Sequence, residues 1–284
     1  MGALWMLVAG LLFAVMGVFV KLGSAHFSSA ELVFYRSFIS LILMVGLMRA
    51  RGLPAATPHR KMHVLRGLSG FFSLMLYFYA ISLLPLASAV TLNYTSPLFL
   101  ALFTIVIMRE RPQWPLIVAV IVGFVGVGLL LRPAIDRELL TGGLVGLASG
   151  FLAGIAYLNV RQLGELGEPE WRIVFYFTLI STVGAGIWML VHEFHAVDQG
   201  DLLLLLGLGS SATIAQLAMT RAYRTGNTLV VGALAYSTVL FATVFGIVLW
   251  QEMLPPLGLA GAILIVLSGI VAVKIAPRAP AATD

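Results

Sequence analysis

The sequence has no cysteine, which excludes a disulfide framework, a thiolate metal site and a thiol nucleophile. Charge is scarce too: only 10% of its 284 residues are Asp, Glu, Lys or Arg, far below the proportion in a soluble domain. There is no glycine-rich phosphate loop with its lysine, so the chain does not itself spend a nucleoside triphosphate. No His/Asp metal cluster and no buried Ser/His/Asp set is visible, so an intramembrane enzyme would lack its machinery, and neither a metal nor a cofactor is expected. The four aspartates, Asp136, Asp198, Asp201 and Asp284, fall in predicted loops or the tail, and the five histidines lie outside or near the ends of apolar runs. A proton-coupled carrier usually buries a titratable group on its path. Here Glu31, near one end of the second apolar run, is the best candidate.

What fills the chain instead is apolar: 60% hydrophobic residues and a mean hydropathy of +1.03. At roughly 20 apolar residues per spanning helix, the sequence predicts an all-α integral membrane protein of ten transmembrane helices. The spans fall at about 2–22, 30–49, 63–83, 87–108, 115–131, 142–161, 170–191, 202–224, 228–250 and 256–275. The first run, 1–20, lacks a basic leading region and a clear cleavage site, so it reads as a span and not as a signal peptide.

The net charge of +5 is a matter of topology. Arg49, Arg51, Arg60, Lys61, Arg66, Arg109, Arg111, Arg161, Arg172, Arg221, Arg224, Lys274 and Arg278 fall on one side, thirteen of seventeen Lys and Arg. The positive-inside rule then puts both termini in the cytoplasm, and no nucleic-acid partner is implied. The partners expected are the lipid bilayer and a small-molecule substrate; the oligomeric state is not legible.

The strongest pattern is an internal repeat. LNYTSPLFLALFTIVIMRE at 92–110 returns as LAYSTVLFATVFGIVLWQE at 234–252, pairing Leu92, Tyr94, Leu98, Phe99, Phe103, Ile105, Val106 and Glu110 with identical residues 142 positions on. Thr95 and Ser96 meet Ser237 and Thr238. Pro115 and Pro256 open corresponding spans, and Gly10, Leu12, Val20 and Lys21 correspond to Gly150, Leu152, Val160 and Arg161. Each half is a five-helix unit, 1–137 and 138–276, followed by a disordered cytoplasmic tail at 277–284. An odd number of spans per half makes the halves inverted, the arrangement typical of secondary transporters.

Several residues carry the expected chemistry. Gly142, Gly146, Gly150 and Gly154 line one face of span six, a small-xxx-small surface for close helix contact. Pro97 near the middle of span four frees the carbonyl of Asn93, which is tolerable only against protein or a wet cavity; it is the candidate hinge, unless the kink is purely structural. Tyr77 and Tyr79 in span three, Asn93 and Tyr94 in span four, Gln216 in span eight, and Tyr236 and Thr238 in span nine supply aromatic faces, amides and hydroxyls for an amphipathic ligand. Arg36 is the one strong charge well inside a span: it either pairs with Glu31 or helix-end carbonyls, or receives a substrate carboxylate. Glu110 and Glu252, at helix ends, read as structural ties to neighbouring helix N-termini.

The segment LASAVTLNYTSPLFLALFTIVIMRERPQWPLIVAVIVGFVGVGLLL, its echo in the second half and the Tyr35-Arg36 pair resemble the EamA-type repeat of the drug/metabolite transporter superfamily. The resemblance covers nearly the whole chain and implies a bacterial inner-membrane carrier. It suggests export of small amphipathic metabolites, amino acids including aromatic ones first, by facilitative alternating access. Uptake or exchange of nucleoside-like metabolites is the alternative within the class, and a non-transporting sensor or binding protein the alternative outside it. One departure from the repeat is Val239 where the first half has Pro97, so the two gates need not behave alike.

Overall fold

The computed structural model describes residues 2–96, 98–99, 102–103, 114–131, 137–192, 195–225 and 234–275. Pro97, Glu110, the basic residues Arg109 and Arg111, and the tail lie outside them. Ten helices and no strand occur among the described residues: α1 Gly2–Gly23, α2 Ser29–Arg51, α3 Arg60–Leu83, α4 Leu86–Asn93, α5 Trp114–Leu131, α6 Arg137–Glu165, α7 Glu170–Val191, α8 Gln199–Thr225, α9 Ser237–Trp250 and α10 Pro256–Ile275. Six of them contain stretches long and apolar enough to cross a membrane, and α5, α9 and α10 contain shorter apolar segments.

Local chemistry sets the ends. Ser28 caps α2 through a reciprocal box with Glu31: the Glu31 amide donates to Ser28 Oγ at 3.3 Å, and the Ser28 amide donates to Glu31 Oε2 at 2.7 Å. Gly52, at φ 62°, ends α2 in the left-handed conformation that costs glycine nothing. Gln251 adopts the same region at φ 54° and closes α9, with the Glu252 amide reaching back to the Gly246 carbonyl at 3.1 Å. That turn swings Glu252 back towards the neighbouring helices.

The packing has a symmetry the sequence foretold. The most extensive neighbours are α3 with α6, α1 with α8, α5 with α10, α2 with α7, α3 with α7, α1 with α9, α2 with α8, α4 with α6 and α4 with α9. Exchanging every helix for the one five places away turns this set into itself. Gly10 on α1 packs against Ser237 and Thr238, and its counterpart Gly150 on α6 against Thr95 and the Leu92 and Asn93 carbonyls.

The glycine stripe of α6 follows one line of contacts. Gly142 meets Leu83 and Leu84, Gly146 meets Leu92 and Ala80, and Gly154 meets Phe99, Phe103 and the Ser96 carbonyl. Without side chains on that face, the chain running from the end of α3 through α4 lies directly on the α6 backbone, where dispersion holds it. Helices α5 and α10 form a separate pair whose backbones touch at Gly126 and Gly261.

Both helices of the repeated motif break at the same tyrosine. α4 ends at Asn93, with Tyr94 at ψ 10° and the Thr95 amide bonding three residues back to Leu92. Before α9, Leu234 and Ala235 are helical, Tyr236 is a turn at ψ −10°, and the Val239 amide bonds back to the Tyr236 carbonyl. Pro97 stands only in the first half, so the break at Tyr236 has no proline three residues on to cause it.

Candidate functional site

A cavity of about 120 Å³ lies between the two sets of five helices. Phe13 and Met16 from α1, Arg36 from α2, Arg66, Ser73 and Tyr77 from α3, Asn93 and Tyr94 at the α4 break, Tyr157 from α6, Phe177 from α7, Gln216 from α8 and Thr238 from α9 all reach it. A crevice of about 10 Å³ continues past Arg36 and Gln216 to Ser40 and Thr213.

Several of the hydroxyls and amides around it bond across the two halves. Ser73 Oγ donates to the Ser149 carbonyl at 2.8 Å, Asn93 Nδ2 donates to Ser149 Oγ at 3.1 Å, and Tyr94 Oη donates to Thr238 Oγ1 at 2.8 Å. Ser40 and Thr213 share a hydrogen bond of 2.8 Å. Each of these joins helices 1–5 to helices 6–10. They are neutral and few, worth roughly 1 kcal/mol apiece, a strength that allows rearrangement.

The two arginines differ from everything else in the cavity. Arg36 and Arg66 are 4% and 6% exposed, and Nε and Nη1 of each have no hydrogen-bond partner among the described residues. Their guanidinium carbons stand 5.3 and 4.0 Å from the centre of one ring, Phe177, which offers cation–π attraction but no counter-charge. No acidic side chain is among the residues lining the cavity. A charge at membrane depth costs roughly 3 kcal/mol on insertion scales, and here there are two.

Of the residues singled out from sequence, Tyr77, Asn93, Tyr94, Gln216, Thr238 and Arg36 come together at the cavity. Tyr79 does not: it is 43% exposed on the outer surface of α3, because two helical residues are about 200° apart and Tyr77 takes the inward face. Tyr236 is buried behind Tyr94, its ring centroid 5.9 Å away. The pairing of Arg36 with Glu31 is not formed. Glu31 instead accepts from the His195 amide at 2.7 Å and faces His195 Nδ1 at 3.0 Å, in addition to capping α2.

Arg66, expected on the basic cytoplasmic side, lies instead inside α3, buried against the cavity. The local signal was the Arg66-x-x-x-Gly70 spacing: a Cβ at Gly70 would lie 2.7 Å from Arg66 Nη1, so the glycine makes the channel along which the guanidinium runs. Phe177 and Tyr157 had no such signal.

Two polar clasps lie away from the cavity. In one, Lys21 pairs with Glu252 and donates to the Leu84 carbonyl at 3.2 Å, while Glu252 Oε2 accepts from the Leu86 amide at 2.8 Å. Glu252 thus joins the end of α1 to the N-terminus of α4, where the helix dipole favours a carboxylate. In the other, Glu168 in the α6–α7 connection is bonded by Thr57, meets His63 Nε2 at 3.2 Å and accepts from Arg172 Nη1 at 2.9 Å. Burial pushes its carboxyl up, but the bonds from Thr57, Arg172 and His63 and the charge of Arg172 outweigh that and hold it down at about 2. Arg172 and Tyr176 also donate to the Pro54 and Ala55 carbonyls.

Ten helices, among the described residues, in two exchange-related sets around a cavity lined by aromatic, apolar and polar side chains are the architecture of a secondary membrane transporter. The model of the EamA-like transporter family matches the chain twice, over residues 1–132 and 140–273; the chain belongs to that family and is a multi-pass membrane transporter. It is 33% identical over 95% of its length to the pseudopaline exporter CntI of Pseudomonas aeruginosa, covering 94% of that protein. It is 26% identical to a riboflavin transporter of Vibrio cholerae, over 78% of this chain and 76% of that one, and 25% identical to an S-adenosylmethionine uptake transporter of Rickettsia prowazekii, over 78% and 75%. A solved crystal structure superposes with a TM-score of 0.69 over 98% of this chain and 99% of the other; at 21% identity the likeness is one of fold.

Proposed function

We propose that this protein is a facilitative carrier in a bacterial inner membrane that exports small amphipathic metabolites, amino acids and related carboxylates, by alternating access. The observation that carries the reading is a cavity shared by both halves, where aromatic faces, amides and guanidiniums with nitrogens unpartnered among the described residues meet away from the helix ends. Residues 1–137 and 138–276 act as the two repeats, and the neutral hydrogen bonds between them at the cavity remake as they rock, together with the polar clasps Lys21–Glu252 and His63–Glu168 at the rims. Tyr94 and Tyr236 mark the broken helices that discontinuous-helix carriers place at the substrate.

Outward transport is supported by the likeness to an exporter over nearly the whole chain. Both termini face the cytoplasm, together with the tail at 277–284. Moving Arg66 into the cavity leaves twelve of seventeen basic residues on that side, still a clear bias. With no acid lining the cavity among the described residues, the cycle needs no proton site there. The second reading, uptake of a nucleoside-like metabolite, is favoured by the two relatives named for riboflavin and for S-adenosylmethionine uptake.

Counterflow in proteoliposomes tests both. Vesicles are preloaded in turn with unlabelled amino acids, amino-acid-derived carboxylates and nucleosides, then given the labelled compound at equal pH on both sides. Accumulation of a carboxylate without a proton gradient is the expected result. Accumulation of nucleosides alone would establish the second reading, and binding without accumulation of any compound would mark a sensor.

A further inference from the structure

The two buried guanidiniums bear on what the cavity holds. Folded proteins pair buried charges or keep them wet, yet Arg36 and Arg66 converge on Phe177 without an acid among the residues lining their cavity. A ligand with one carboxylate leaves one of the two unanswered. A free amino acid would also set its ammonium in the field of the second guanidinium, which repels it. Water can hydrate the empty site, but a bound ligand with an apolar body displaces it and must then supply the counter-charge itself.

We infer that the cargo is an amphipathic dianion: one molecule whose two carboxylates bind Arg36 and Arg66 beside Phe177, with its apolar part against Phe13 and Met16. Each planar guanidinium presents a fork that matches a carboxylate. Gly70 is part of the site, because any side chain there would displace the Arg66 fork. This rests on reading the cavity as the substrate site and narrows that reading from amino acids in general to acids carrying a second carboxylate. It also gives a carrier without proton coupling an outward drive. A cytoplasm at −100 mV favours anion exit by roughly 50-fold per charge.

The test uses the full chain and three probes of similar bulk: 2-benzylsuccinate with two carboxylates, 4-phenylbutyrate with one, and phenylalanine as the zwitterion. Binding is read by thermal shift of the purified protein and transport by counterflow in proteoliposomes. The wild type should bind 2-benzylsuccinate at least about 10-fold better than either of the others, the ratio for one charge-assisted fork. Arg66→Gln and Arg36→Gln should each bring the ratio of 2-benzylsuccinate to 4-phenylbutyrate close to one while 4-phenylbutyrate itself changes little, and Arg66→Lys should fall between. The ratio is taken within each variant, so a loss of folded protein does not imitate the effect, and the wild-type competition stands alone if a variant does not fold. Equal affinity for one and two carboxylates in the wild type, or an unchanged ratio in Arg66→Gln, overturns the inference. Exchange of phenylalanine with 2-benzylsuccinate inert overturns it too but leaves the carrier reading intact; binding of 2-benzylsuccinate with no exchange of any probe does the reverse.

Discussion

Gly150 and Gly10 occupy equivalent crossings in the two halves, but their neighbours differ in a way that a pair of double mutants can read. A Cβ at Gly10 would lie 2.4 Å from Ser237 Oγ, with its next contacts at 3.2 Å. A Cβ at Gly150 would lie 2.4 Å from Thr95 Oγ1 and also 2.6 Å from the Leu92 carbonyl oxygen, which no side-chain deletion removes. Overpacking of this kind costs roughly 1–3 kcal/mol, against a helix-propensity gain from Gly→Ala of about 1 kcal/mol. Gly46, inside the C-terminal part of α2 with nothing within 4 Å of its Cβ, is the control that receives the gain alone. Gly46→Ala should therefore match or exceed the wild type, and Gly10→Ala and Gly150→Ala should melt roughly 2–12 °C below Gly46→Ala, and so about 0–8 °C below the wild type, at 2–4 °C per kcal/mol for a chain of this size. Adding Ser237→Ala should return most of the loss in Gly10→Ala, because Ser237 Oγ has no partner among the described residues and its removal is cheap. Adding Thr95→Ala to Gly150→Ala should not. The assay is thermostability by size-exclusion chromatography in detergent, with coupling energies from the two cycles. Full rescue of Gly150→Ala by Thr95→Ala, or none of Gly10→Ala by Ser237→Ala, would refute the packing argument.

Other outcomes follow from the same geometry. Glu252→Gln should weaken the tie from Lys21 to the start of α4; because the chain has no cysteine of its own, a single Met16→Cys can report it through a several-fold faster reaction with a maleimide. For Glu168, a carboxyl held at about 2 against an ordinary 4.5 contributes stability that is complete above about 4.5 and is lost only as the pH falls towards 2. The 52–59 loop should accordingly stay clasped from pH 8 to pH 5, while Glu168→Gln should cost roughly 1–3 kcal/mol and speed labelling of Ala55→Cys at neutral pH. Tyr79→Leu should leave counterflow within about twofold, since surface changes rarely matter, whereas Tyr77→Leu should depress it strongly; equal effects of the two would contradict the inward and outward faces of α3.

Much was legible in one dimension because it depends on composition and period. Bilayer thickness fixes how many apolar residues a span needs, so ten helices could be counted from hydropathy, and the 142-residue echo of LNYTSPLF announced two related halves. The glycine spacing of α6 named its contact face, because a helix repeats its faces every three to four residues whatever it packs against. Tyr77, Asn93, Tyr94, Gln216 and Thr238 were reachable in the same way, as polar or aromatic residues too deep in apolar helices to be incidental.

What the tertiary structure decided is everything that depends on which faces meet. Only the packing of α3 against α6 and α7 turns Tyr77 inward and leaves Tyr79 outside, moves Arg66 from the basic rim into the cavity, and sets it with Arg36 around a phenylalanine from the other half. Glu31 looked like a partner for Arg36 because the two are close along the chain, but five helical residues separate them by about 140°, and His195, far away in sequence, took the carboxylate. Hydropathy measures the cost of placing a residue in the membrane; the partner that repays that cost is set by three-dimensional contact, and here part of it is left for the cargo.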